Sequence, residues 1–70
     1  MQLNEGITTQ DLIAEGFDVR EEEFEDHPHL FVASKREWQT NHRLMLRMAG
    51  FEYAYYPVKE GYIPGWAYKI

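Results

Sequence analysis

Three histidines and a dense run of carboxylates are the residues in this 70-residue chain with the chemistry to hold a metal or move a proton. His27 and His29 flank Pro28, directly after Glu25 and Asp26, and His42 lies further along. Imidazole beside carboxylate suits zinc or iron. The spacing argues against a site: a proline separates two of the histidines, and the third falls on a helix face that reads as core. Two loop histidines beside acids, and one half-buried histidine with a hydrogen-bond partner, account for the same residues. No metal or other cofactor is expected.

Nucleophilic catalysis needs a Ser, Cys or Thr held beside a base. The chain has no Cys, and Ser34 is its only Ser. The carboxylates between Glu21 and Asp26 could be posed as acid–base pairs. A working pKa shift, however, requires burial or a tight like-charge pair, and so polar a run reads as solvated. There is no Gly-rich phosphate loop, and a chain this short does not easily enclose a substrate cleft. The expectation is a protein that is not an enzyme.

Charge is the most informative part of the composition. The net charge is −5. Residues 1–33 carry nine acids and one base, a net of −8, and residues 34–70 carry six bases and three acids, a net of +3. Within the acidic half, Asp18, Glu21, Glu22, Glu23, Glu25 and Asp26 crowd one short segment. Such a balance disfavours unaided attraction to nucleic acid or to an anionic membrane. A protein partner with a basic surface fits best, with Glu21, Glu22, Glu23, Glu25 and Asp26 presented along an extended edge and steering the encounter. One form of this is a nucleic-acid mimic of the kind carried by phages and mobile elements. The chain resembles such inhibitors in size and charge, and no motif adds to that. A purely solubilising edge that blocks sheet-to-sheet aggregation is the plainer account of the same acids.

The alternative function is nucleic-acid binding. Arg36, Arg43 and Arg47 would grip phosphates from one helix face, and Tyr53, Tyr55, Tyr56, Trp66 and Tyr68 would form a stacking surface. Against it, a small core needs its aromatics inside, and the acidic front half repels a polyanion. A homodimer, in which the acidic front of one copy meets the basic helix face of another, stays open.

These side chains need elements to position them. The longest reads as one amphipathic helix from Ser34 to Gly50. Ser34 and Glu37 make a capping box, and Gly50 takes the left-handed position at the far end with Phe51 reaching back to Leu46. At 100° per residue, Trp38, Asn41, His42, Met45, Met48 and Ala49 share one face, and Arg36, Thr40, Arg43 and Arg47 share the other. A shorter helix covers Thr9 to Glu15, with Thr8 and Asp11 as its capping box, Ile7 and Leu12 as its staple, and Gly16 as its stop. Leu12-x-x-x-Gly16-Phe17 is echoed by Leu46-x-x-x-Gly50-Phe51, which follows from both ends obeying one C-cap rule.

Phe17 and Val19 alternate with Asp18 and Arg20, a short strand signal. The pattern then dissolves into the acidic run, an exposed edge strand or a loop in which only Phe24 is anchored. His27-Pro28-His29 reads as a break, because proline gives a ladder no amide. Leu30 to Ala33 is a strand covered on both faces. Phe51 to Val58 and Tyr62 to Ile70 form a hairpin turned by Lys59-Glu60-Gly61, with a bulge or second turn at Pro64-Gly65.

The whole is a single α+β domain spanning residues 1–70, with 1–6 loose. Its antiparallel sheet has three to four strands, with one long helix packed on it and a short N-terminal helix, in the order α-β-β-α-β-β. The core is expected to hold Leu12, Phe17, Val32, Trp38, Met45, Ala49, Phe51 and Tyr53. With no Cys, the four Phe, five Tyr and two Trp must do the stapling in a chain that buries only roughly 60% of its unfolded surface. No apolar run approaches the length of a membrane span, and no secretory signal is visible, so a cytoplasmic location is expected.

Overall fold

The computed structural model describes all 70 residues. Two helices, α1 (Thr9–Ala14) and α2 (Thr40–Ala49), lie against a four-stranded antiparallel sheet. The strands are β1 (Asp18–Phe24), β2 (His27–Ser34), β3 (Glu52–Tyr53) and β4 (Ile63–Lys69), in spatial order β1-β2-β4-β3. This is the α+β class and the α-β-β-α-β-β order that the sequence implies. No helix is long and apolar enough to cross a membrane.

Both helices stop by the same device. Gly16 and Gly50 have φ of 95° and 103°. Behind them the Phe17 amide donates to the Leu12 carbonyl at 3.3 Å, and the Phe51 amide to the Leu46 carbonyl at 2.9 Å. Each turn therefore drops a phenylalanine beside a leucine that is fully buried, and delivers the chain to a strand. The start of α1 is also as expected, with Thr8 and Asp11 exchanging both bonds of a capping box.

The start of α2 is not. Ser34 is the last residue of β2, paired with Ile63, and its hydroxyl accepts from the Arg36 amide at 3.1 Å instead of capping a helix. The helix begins six residues later, with Gln39 as an N-cap that makes no side-chain bond. Tertiary contacts decide this. Trp38 leaves the helix to lie on Gly65, donating to the Pro64 carbonyl at 3.2 Å, and residues 35–39 must stay outside the helix to deliver it. Starting later re-phases the buried face. Leu46 and Ala49 are fully buried and His42 and Met45 half-buried, whereas Asn41 and Met48 are exposed.

In β2, Leu30 and Val32 face the helices and join Leu12, Phe17, Leu46, Ala49, Phe51 and Trp66 in one core. Leu3 belongs to it too. Residues 1–6 are not loose: a 3-10 turn at Asn4–Gly6, a bridge between Gln2 and Thr8 and a 2.6 Å bond from the Leu3 amide to the Ile7 carbonyl hold them down. Tyr53, expected in the core, is 69% exposed at the edge of the sheet.

Phe51 to Val58 is not a strand. Only Glu52 and Tyr53 pair with β4, and the Ala54 amide makes the last bond, to the Gly65 carbonyl at 2.8 Å. Residues 54–62 then cross to the sheet face opposite the helices, where the Tyr56 ring lies 4.7 Å from that of Phe31. The bulge at Pro64-Gly65 is present: Val32 pairs with Trp66 and Ala33 with Pro64, so Gly65 is the unpaired extra residue.

Candidate protein-binding edge

Asp18 and Glu21 to Glu23 lie on a strand, the outer one, and Glu25 and Asp26 form the turn that follows it. β1 pairs only with β2, from Asp18 against Ala33 to Phe24 against His27, so its other edge is open. His27-Pro28-His29 does not break the ladder. The chain turns one step earlier, at Glu25 and Asp26, with φ of 51° and 65°. A two-residue turn with both central residues left-handed matches the twist of a hairpin. Pro28 is tolerated because its carbonyl, and with it the position of its missing amide hydrogen, points away from β1, so the β1–β2 ladder loses no bond; the carbonyl accepts instead from the amide of Ile70, just past the end of β4, at 3.0 Å.

This geometry divides the carboxylates. Asp18 is neutralised within the chain, by the Arg20 guanidinium at 3.0 Å and the Lys59 ammonium at 3.7 Å. Glu21, Glu22, Glu23, Glu25 and Asp26 are exposed, and none has an intramolecular ion pair. Strand alternation sends Glu22, opposite His29, to the face away from the helices, and Glu21 to the helix side. Glu25 and Asp26 form the tip.

The other candidates do not assemble. Arg36 lies in the connection before α2, not on it, so the three-arginine helix face is absent. Arg43 is exposed on α2, and the Arg47 guanidinium sits over the Trp66 ring at 5.9 Å. The aromatic platform is divided as well. Trp66 is buried, the half-buried Tyr68 packs on Phe51 with ring centroids 5.3 Å apart, and Tyr56 lies on the opposite face of the sheet. His27 and His29 stand on β2, whereas His42 on α2 contacts Glu15 at 3.4 Å. No three of the chain's His, Asp or Glu side chains converge as a metal-holding group.

The sequence did not point to a groove beside the acidic edge. It has a volume of about 280 Å³ and is walled by Phe24 and Phe31 from the hairpin and Tyr55, Tyr56 and Pro57 from the crossing segment, with Glu22 and Glu23 at its rim. Phe24 stands perpendicular to Phe31 at 6.5 Å, and His29 stacks on Phe31 at 5.8 Å. The available signal was the period of two: His29 and Phe31 must share the face opposite Leu30 and Val32 once β2 begins at His27. Nothing local in the sequence placed Tyr56 there.

Tyr56 is the pin of that wall. Its hydroxyl donates to the Val32 carbonyl, at the point where the bulge shifts the ladder. Burial pushes its pKa up to about 12, with the nearby Gly65 and Trp66 amides pulling the other way. Because the folded pKa exceeds the unfolded value of 10.0, the stability linked to Tyr56 is present below pH 10 and is lost as pH rises towards 12. Tyr56→Phe is expected to cost about 1 kcal/mol at neutral pH. It should also flatten the fall in stability between pH 9 and 11 relative to the parent. Urea unfolding of both proteins at the two pH values checks this, and parallel losses would mean that Tyr56 is not the titrating group.

Comparison with protein-family models, with curated proteins and with solved structures finds no match to this chain.

Proposed function

We propose that the chain is a non-enzymatic binding protein that presents Glu21, Glu22, Glu23, Glu25 and Asp26 to a basic surface on a protein partner. Where that surface is a nucleic-acid site, occupying it inhibits the partner. The observation that carries this reading is the contrast along one strand: Asp18 has two cations from its own chain, and the five acids beyond it have none. The hairpin carries Glu22 on one face, Glu21 and Glu23 on the other and Glu25 and Asp26 at its tip, a concentration of unpaired negative charge that supports steering of a cationic partner.

The test is capture from a lysate by the full chain, washed at about 0.1 M and then about 1 M salt, where the screening length falls from about 10 Å to about 3 Å. Half of the sample is treated with nuclease. A basic protein retained after nuclease and released by salt is expected, with binding at least about tenfold weaker for the chain carrying Glu21→Lys and Glu25→Lys. Retention that ignores both salt and the double charge reversal would rule the acidic array out. Loss on nuclease treatment would move the function to nucleic acid.

A further inference from the structure

We infer that the groove beside the hairpin takes one apolar segment of the protein partner bearing arginine or lysine, seating the alkyl stem on the aromatic walls and the cation at Glu22. This rests on the acidic-edge reading and adds the source of its specificity. The groove is built before any ligand arrives. Tyr56 is tied to Val32 by its hydroxyl and packed on Phe31, and Phe24 stands edge-to-face with the same ring. A preformed wall loses little freedom on binding. Yet Tyr55 is 88% exposed and Phe24, despite its contact with Phe31, 54% exposed, so the groove leaves aromatic surface that this chain does not cover.

Size and charge name the occupant. At about 280 Å³ the groove falls just below the range of small-molecule and cofactor sites, roughly 300–1,000 Å³, and suits one or two side chains. The Glu22 carboxylate and the acidic tip beyond it, unpaired within the chain, repel phosphate and acidic peptides. They attract a cation whose stem lies along the rings, and arginine and lysine combine an apolar stem with a charged head. Charge alone would let any basic surface bind. The aromatic walls require an apolar residue beside the charge.

The test uses the full chain labelled with ¹⁵N and three probes: acetyl-Leu-Arg-Leu-Arg-Leu-amide, acetyl-Gly-Arg-Gly-Arg-Gly-amide and acetyl-Leu-Glu-Leu-Glu-Leu-amide. The first should shift the amides of Phe24, Phe31, Tyr55 and Tyr56, and that of Ala67, which lies at the floor of the groove beside Phe31. The second should shift only residues 21–26 and bind more weakly, and the third should shift neither set. Tyr55→Ala removes an exposed side chain with no hydrogen bond, so it leaves the fold intact. It should weaken the first peptide by about fivefold or more and leave the second unchanged. Equal affinity of the two basic peptides, indifferent to Tyr55→Ala, overturns the groove and leaves the acidic edge standing. Binding by neither basic peptide overturns both. A dimer at these concentrations that Tyr55→Ala dissolves gives the groove to a second copy and overturns the proposal.

Discussion

Trp66→Ala is expected to leave much of the chain unfolded at 25 °C. Trp66 is 1% exposed, the largest fully buried side chain, and the place where the elements meet. Its ring stands perpendicular to those of Trp38 at 6.2 Å and Tyr53 at 5.7 Å, and the Arg47 guanidinium covers it at 5.9 Å. Truncating a buried aromatic to Ala costs about 3–5 kcal/mol, and a single core without disulfides in a chain this short rarely supplies more than about 3–5 kcal/mol in all. Far-UV circular dichroism and urea unfolding read the outcome. Trp66→Phe supplies the control. The indole N–H has no hydrogen-bond partner although it is buried, so removing it with the smaller ring relieves part of the desolvation cost. The Phe variant should therefore stay folded and lose markedly less. Equal losses for the two would mean that the ring's packing is not what holds α2 to β4.

Gly65→Ala is the second large effect, and it comes from adding one methyl group. A Cβ at this position would lie 2.7 Å from Nε1 and 2.9 Å from Cε2 of Trp38. The indole cannot simply swing away, because it is packed 5.2 Å from Phe17 and bonded to the Pro64 carbonyl. Overpacking of this kind costs about 1–3 kcal/mol, which in so small a domain lowers the melting temperature by roughly 4–8 °C per kcal/mol. Because the clash is with one ring, a double-mutant cycle isolates it. With Trp38→Leu already in place, Gly65→Ala should cost much less than it does alone. Additive losses would place the strain in the β4 backbone instead.

The two residues also explain why one part of the fold was legible and its neighbour was not. Thr8 with Asp11, and Gly16 with Phe17, act within one turn of the chain, so their types and spacing were enough to set both ends of α1. Gly50 did the same for the end of α2. Ser34 and Glu37 had equally good spacing, and there the local signal lost. Ser34 pairs with Ile63 in the sheet, and Trp38 is needed on Gly65, a residue far away in sequence. A capping box stabilises by about 1 kcal/mol, less than burying an indole surface. That single substitution of partners shortened the helix, removed Arg36 from it and re-phased its buried face onto Leu46.

The candidate site divides along the same line. The charge asymmetry and the exposure of the five carboxylates from Glu21 to Asp26 follow from composition and from repulsion between adjacent acids, which left an edge strand or a loop; pairing with β2 made Asp18–Phe24 the strand. The turn at Glu25 and Asp26 did not follow from these, because two non-glycine residues in left-handed conformation are held by the pairing of the strands and not by their own preference. Nor did the groove. The aromatic run from Tyr53 to Tyr56 alternates like a strand, and only the tertiary structure sends Tyr53 to the rim, Trp66 to the core and Tyr56 beneath Phe31. Short-range rules determined α1, the end of α2, the α+β class and the acidic character of the hairpin. Long-range packing decided where α2 begins and which aromatics face solvent, because a few kilocalories of buried aromatic surface outweigh the fractions of a kilocalorie that separate one local conformation from another.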